Sequence, residues 1–299
     1  MSLSTHESLS SRARPAGKLP FEVVPLTRHI GAEIRGLDLR QKPDDETVKA
    51  IYQAWLDHLV LIFPEQKLSQ EDLIRATGFF GTLGKISRPP KYFPKGYSSV
   101  LPGIMMISNI RENGEPIGAL PDGEMMFHHD MIHAEVPSKA TLLYSLEIPG
   151  SGGNTLFASG YAAYDTLDPA IRSRLEGKKA LHHYNYGSTV RGDNRGVEAF
   201  AEQIHPVFRT HEDTGKKAVY VNRLMTVKVL DVPEDESDRL LAALYDHAEK
   251  PEFVYEHVWR VGDLLLWDNR CSSHARTDFP STERRLMFRT TVDGSVRPY

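Results

Sequence analysis

Two histidines and one carboxylate carry most of the chemistry this sequence could perform. His128 and Asp130 lie two residues apart in Phe127-His128-His129-Asp130. In an extended segment side chains alternate faces, so these two point one way and His129 the other. A divalent metal held by that pair needs one more protein ligand. His274, in Trp267-Asp268-Asn269-Arg270-Cys271-Ser272-Ser273-His274, is the best candidate. Two His and one carboxylate on one face of a metal form the triad of non-haem Fe(II) oxygenases, which leaves positions open for co-substrate and dioxygen. The plain alternative is chance: the chain has 13 histidines, and a surface loop with a satisfied His128 or His129 would give the same string.

A basic strand follows at a useful distance. Arg285, Met287, Arg289 and Thr291 share one face of it, and Leu286, Phe288, Thr290 and Val292 the other. On periodicity alone the apolar face belongs to the core and the arginines to solvent. An arginine facing inward would be costly unless an anion paired with it, and a dicarboxylate could do so through a two-pronged contact.

The elements that must position these groups can be read in outline. Strands are expected over 21–24, 30–39 (with a bend), 59–63, 104–107, 140–146, 155–157, 253–259, 264–267 and 286–292. Helices are expected from Asp45 to His58, from Ser69 to near Phe80-Gly81, from Asp168-Pro169 to Gly177, and from Pro233 to Lys250 with Leu240, Leu241, Leu244 and Tyr245 inward. Residues 207–211 and 218–221 flank turn residues and read as a hairpin. Residues 84–125 are rich in Pro and Gly and read as a lid or binding loop, apart from the strand at 104–107. Many short strands without regular strand–helix alternation favour a mainly β jelly roll with flanking helices over a doubly wound sheet.

Composition narrows the classes. A chain of 299 residues with no internal repeat reads as a single domain over 21–299. Residues 1–20, rich in Ser, Arg and Pro, read as a disordered tail. The formal charge of −4 gives no case for nucleic acid. The single cysteine excludes a disulfide framework within the chain and a cysteine-based zinc site. No apolar run reaches the length of a membrane span or signal peptide, so a cytoplasmic location is expected.

Phe-His-x-Asp at 127–130, Gly152-Gly153-Asn154-Thr155-Leu156, His205-Pro206-Val207, Arg209-Thr210-His211, Tyr220-Val221-Asn222, the Trp-Asp-Asn-Arg run with His274, and Arg285 through Arg289 recur here in order. The early Gly31-Ala32-Glu33-Ile34-x-Gly36-Leu37-Asp38-Leu39 joins them. Together, over about residues 20–295, they resemble the taurine dioxygenase/2,4-dichlorophenoxyacetate dioxygenase (TauD/TfdA) family. That resemblance implies a double-stranded β-helix core, Fe(II), 2-oxoglutarate and O2. It implies that His128, Asp130 and His274 bind iron and that Thr155 and Arg285 bind the distal carboxylate of 2-oxoglutarate. The Arg285 face of the last strand would then point inward. The implied reaction is hydroxylation of a small organic molecule with release of succinate and CO2, with C–S or C–O cleavage as a natural outcome.

For the substrate, Arg289 occupies the position whose arginine pairs with the sulfonate in taurine-cleaving members. An anionic substrate is expected. Those members also use a histidine from the loop before the metal motif; here Ser87-Arg88-Pro89-Pro90-Lys91-Tyr92 has none, and Arg88 is the nearest equivalent. Glu124 stands where they carry an asparagine, and the loop around Tyr186 also differs. These departures favour an alkylsulfonate, alkyl sulfate, aryloxyalkanoate or other carboxylate over taurine. A homo-oligomer, dimer or tetramer, is expected. Competing readings are a non-catalytic jelly-roll protein that binds an anion through Arg285 and Arg289, a tailoring hydroxylase of a biosynthetic pathway, and a cupin-like zinc hydrolase.

Overall fold

A computed structural model describes residues 19–86, 100–119, 123–185, 189–190 and 201–299. Nearly all of the expected tail, 1–20, lies outside these, as do Arg88 and Tyr186. In chain order the strands are β1 (Glu22–Pro25), β2 (Ala32–Arg35), β3 (Val60–Phe63), β4 (Met105–Ser108), β5 (Arg111–Glu112), β6 (Glu115–Pro116), β7 (Met125–His128), β8 (Ala140–Glu147), β9 (Thr155–Ser159), β10 (Lys179–Tyr184), β11 (Ala201–Pro206), β12 (Phe208–Thr210), β13 (Lys217–Val219), β14 (Thr226–Val229), β15 (Val254–His257), β16 (Leu264–Asp268), β17 (Ser272–Arg276) and β18 (Leu286–Val292). The helices are α1 (Asp45–His58), α2 (Gln70–Thr77), α3 (Gly160–Asp165), α4 (Pro169–Leu175) and α5 (Glu234–Ala248).

A seven-stranded sheet in the order β1-β2-β3-β16-β8-β18-β4 faces a four-stranded sheet in the order β15-β9-β17-β7. The large sheet is buried on both sides, which explains its continuous apolar runs. On β3 and β16, Leu61, Phe63, Leu264 and Leu266 pack outward against Ile51 and Trp55 of α1 and Leu73 and Ala76 of α2. The alternate residues Val60, Ile62, Leu265 and Trp267 point inward, joining Phe157 of β9 and Met287 of β18. This two-sheet interior is the jelly roll, and truncating a side chain as buried as Trp55 to alanine costs about 3–5 kcal/mol.

The helices start where the sequence supplies caps. Asp44 accepts from Thr47 N at 2.8 Å at the head of α1. Ser69 and Asp72 form a reciprocal capping box on α2. Asp168 caps α4, with Pro169 at its first position. α2 ends at Thr77 rather than near Phe80-Gly81, and the strand expected over 30–39 is confined to Ala32–Arg35. The expected loop over 84–125 is only partly loop: β4 joins the large sheet beside β18, and β5 and β6 form a short hairpin.

Outside the jelly roll, β10, β11 and β14 make a small sheet, and β12 pairs with β13. Leu241, Leu244 and Tyr245 of α5 close their core with Val207, Phe208, Val219 and Val229. One irregularity touches the site. Where β18 pairs with β8 the register slips between Leu286 and Met287, so Leu146 is an extra residue on β8. Such bulges bend a sheet and re-aim nearby side chains, here at the Arg285 end.

Candidate active site

The small sheet of the jelly roll brings the three proposed ligands together. β17 pairs antiparallel with β7 so that His274 sits opposite His128. Their rings are 4.1 Å apart between centroids. Asp130, just past the end of β7, places Oδ1 4.0 Å from His128 Nε2 and Oδ2 3.9 Å from His274 Nε2. One donor atom from each of the three residues lies within 4.8 Å of the others, and all three residues are buried.

The chemistry of the donors fits a metal. His128 Nδ1 lies 2.9 Å from the Met126 carbonyl, which can only accept, so the proton is on Nδ1 and the Nε2 lone pair faces Asp130. His274 is held instead by packing, 4.8 Å from the Trp267 ring and 6.1 Å from that of Phe157. Burial pushes both histidines down, so they are neutral near pH 7. Burial alone would raise Asp130, but Arg289, the two histidines and the Thr141 hydroxyl hold its carboxyl well below the usual range. Thr141 Oγ1 donates to Asp130 Oδ2 at 2.7 Å and accepts from Asn269 Nδ2 at 3.0 Å. The carboxylate is thereby oriented from behind.

His129 points away, as alternation requires. It is 1% exposed, 4.7 Å from the Tyr220 ring, and its Nδ1 lies 3.2 Å from Asn222 Nδ2. Burial, then His128 and Arg209, push it down to about 3.

A second cluster of His211, Asp268 and Cys271 is close enough to suggest a metal, but its donors are already used. Asp213 N donates to His211 Nδ1 at 3.2 Å, so the Nε2 proton goes to Asp268 Oδ2 at 3.0 Å. Arg270 donates to both oxygens of Asp268, at 2.8 and 2.7 Å. Burial pushes the Cys271 thiol well up, which keeps it protonated. This is a structural ion network, and it ties the turn between β16 and β17 to α1 through the Arg270–Trp55 contact of 5.0 Å.

Further along the same sheet lies Thr155, and a buried arginine stands beside the loop that leads to it. Thr155 of β9 pairs with Arg276 of β17, two residues along from the Phe157–His274 pair. Arg285 is 2% exposed, and its Nε has no hydrogen-bond partner. Its backbone N is anchored to Asn109 Oδ1 at 2.9 Å. No carboxylate among the described residues pairs with its guanidinium. Burial, then the positive charge of Arg276, push Arg285 down to about 9, so it stays charged at pH 7. Gly153 stands close by: a Cβ there would lie 3.5 Å from Arg285 Nε, and its φ of +65° is one that glycine adopts without strain. Thr155 Oγ1 accepts from Trp259 Nε1 at 3.0 Å, which leaves its own proton for another acceptor. The arginine face of β18 is therefore the inward one, against the expectation from periodicity alone.

Arg289 donates to Asp130 Oδ1 at 2.8 Å and borders a cavity of about 130 Å³. Met105, Met131, His133, Tyr184, Lys85 and Thr291 also line it. The His133 and Tyr184 rings stack at 4.3 Å and 9°. Glu124 stands exposed just ahead of β7, outside this set. His133 and Met105 had no distinguishing signal as cavity residues; the nearness of His133 to Asp130 was the available hint.

A jelly roll holding a buried His-Asp-His triad that could bind a metal, with a buried arginine that no described carboxylate pairs with, points to the class of metal-dependent oxygenases. The comparisons make this particular. The profile described as "Taurine catabolism dioxygenase TauD, TfdA family" matches residues 22–291. The (S)-phenoxypropionate/alpha-ketoglutarate-dioxygenase of Sphingobium herbicidovorans is 29% identical, over 92% of this chain and 95% of that protein. The alpha-ketoglutarate-dependent 2,4-dichlorophenoxyacetate dioxygenase of Cupriavidus pinatubonensis is 31% identical, over 91% of this chain and 98% of that protein. The crystal structure of a taurine dioxygenase from Burkholderia xenovorans superimposes with a TM-score of 0.77 at 30% identity, covering 93% of this chain and 92% of that one. The chain belongs to the TauD/TfdA family and is a 2-oxoglutarate-dependent dioxygenase. Among the described residues no helix is long and apolar enough to cross a membrane.

Proposed function

We propose that this enzyme uses Fe(II), held by His128, Asp130 and His274, to hydroxylate a small organic anion. The observation that carries the reading is Arg285: a buried guanidinium with no described carboxylate partner, beside Gly153 and so close to the start of β9, which pairs with the strand that carries His274. A buried charge of that kind is costly unless an anion completes it. The distal carboxylate of 2-oxoglutarate is the natural anion, with Thr155 donating its free proton to the same group. Bound iron would supply oxygen activation coupled to decarboxylation of 2-oxoglutarate to succinate and CO2. The protein's own part is binding, orientation and exclusion of water. His128 is presented in one tautomer by Met126, and Asp130 is oriented by Thr141. Arg289, at the edge of the cavity, pairs with the anionic group of the substrate and so sets which C–H bond faces the metal.

The substrate classes that fit are aryloxyalkanoates, other carboxylates, alkyl sulfates and alkylsulfonates. Phenoxypropionate and 2,4-dichlorophenoxyacetate, in the names of the two relatives, fall in the first. Residues 21–299 are read as one domain. The test is succinate release with Fe(II), 2-oxoglutarate and a panel of such anions. At least one should raise succinate well above the rate without substrate, and His128→Ala should abolish the rise. A panel with no effect, or turnover that survives His128→Ala, overturns the assignment.

A further inference from the structure

The backbone that carries Asp130 leaves its sheet at once. β7 ends at His128, and Met131 adopts a left-handed φ of 59°, uncommon for a residue with a side chain. Sheet pairing therefore does not hold residues 129–134. Thr141 and Arg289 of the jelly roll hold the Asp130 side chain, and further tethers come from the region outside it. His205 Nε2 of β11 donates to the Ala134 carbonyl at 3.0 Å. Leu224 N donates to the Phe127 carbonyl at 3.3 Å. Asn222 meets His129, the residue between two proposed ligands.

Asn222 is itself fixed at two points. Its Oδ1 accepts from Met225 N at 2.8 Å, and its backbone N donates to Thr226 Oγ1 at 2.9 Å. A backbone N–H can only donate, so the atom facing Met225 is the oxygen and the atom facing His129 is the amide nitrogen, a donor. His129 Nδ1 must then accept, and its proton must sit on Nε2. That nitrogen is buried without a partner, which leaves Asn222 as the one polar tether of the ring among the described residues.

We infer that Asn222 is a positioning residue for the metal: by fixing the tautomer and orientation of His129 it sets the backbone that separates His128 from Asp130. The inference rests on the assignment of those two residues as ligands. Outer partners of metal sites commonly change affinity 10–100-fold when removed, and Asn222 acts in this way one residue removed, through the spacer.

The test uses the whole protein, with Mn(II) binding, thermal unfolding, and 15N-histidine spectra of the diamagnetic Zn(II)-loaded form. Asn222→Ala should weaken Mn(II) binding by about 10-fold or more. Asn222→Asp keeps an acceptor for Met225 N and offers His129 an acceptor in place of a donor. It should recover most of the affinity, with the His129 proton moved from Nε2 to Nδ1. A merely structural role would lower the unfolding temperature and leave Mn(II) affinity alone. A folded Asn222→Ala protein that binds Mn(II) like the parent overturns the inference. So does a parent His129 protonated at Nδ1, which is read without any variant. Failure of the parent to bind Mn(II) or Zn(II) at all overturns the ligand assignment and the inference with it.

Discussion

Just before β18 and at its middle, the same side chain sits in opposite circumstances. Arg285 and Arg289 are roughly 13 Å apart along one strand. Arg285 is shut in, with no described carboxylate partner. Arg289 is a quarter exposed, paired with Asp130 and open to a cavity. The bulge at Leu146 falls beside the first, and regular pairing with β8 holds the second. The difference teaches that arginines on one face can be enclosed or open; on the proposed function, the enclosed one would suit the co-substrate and the open one a substrate that must enter and leave.

The largest effect should come from the carboxylate that Arg289 holds. Asp130→Ala removes a proposed ligand and the carboxylate that Arg289 holds; turnover should fall to background, and Mn(II) binding with it. Next, Arg285→Ala should raise the 2-oxoglutarate requirement by about 100-fold, the worth of a charge-assisted two-pronged contact, with a much smaller change for substrate. Arg289→Ala should do the reverse, by about 10-fold or more. Equal effects of the two variants on both KM values would break the comparison. Thr155→Val removes one hydroxyl and should raise the 2-oxoglutarate KM alone, by about 10-fold.

The smallest effect concerns the surroundings and should leave both arginines untouched. Burial first of all holds His133 and His205 down to about 4 in the fold, against about 6.5 in the unfolded chain. Between those values the unfolded chain binds protons the fold refuses. The stability at stake is complete above about pH 6.5 and is lost as pH falls toward 4, by up to about 1.4 kcal/mol per pH unit and ring. His205→Gln keeps a donor for the Ala134 carbonyl and should flatten the fall in denaturation midpoint between pH 7 and 5.

The contrast along β18 also shows what the sequence reveals. Where a face is apolar, periodicity suffices: Val48, Ile51 and Trp55 mark α1, and the run from Val60 to Phe63 marks a strand buried on both sides. Where the interior is lined for chemistry, the same rule misleads. Arg285 and Arg289 read as a solvent face because nothing in their spacing reveals that one is buried and the other is paired with Asp130. β17 was not apparent, since Ser-Ser-His-Ala-Arg lacks apolar alternation although His274 and Arg276 are buried. β10 is hidden for a similar reason: His182 is fully buried, bonded through Nδ1 to Thr226 Oγ1 at 3.1 Å. The triad is legible because a metal would fix its residue types; the tether through Asn222 is not, because it depends on which way an amide faces.

The ion network at the turn between β16 and β17 has a practical consequence through Cys271, the chain's only cysteine. Its thiol is 1% exposed and kept protonated by its surroundings, so the folded enzyme offers electrophiles almost no thiolate. Reagent that does couple to it must catch a molecule in which the turn before His274 has opened. The rate of labelling is therefore a built-in clock for the breathing of the turn that leads to His274, readable in the natural protein without a dye, a tag or a substitution.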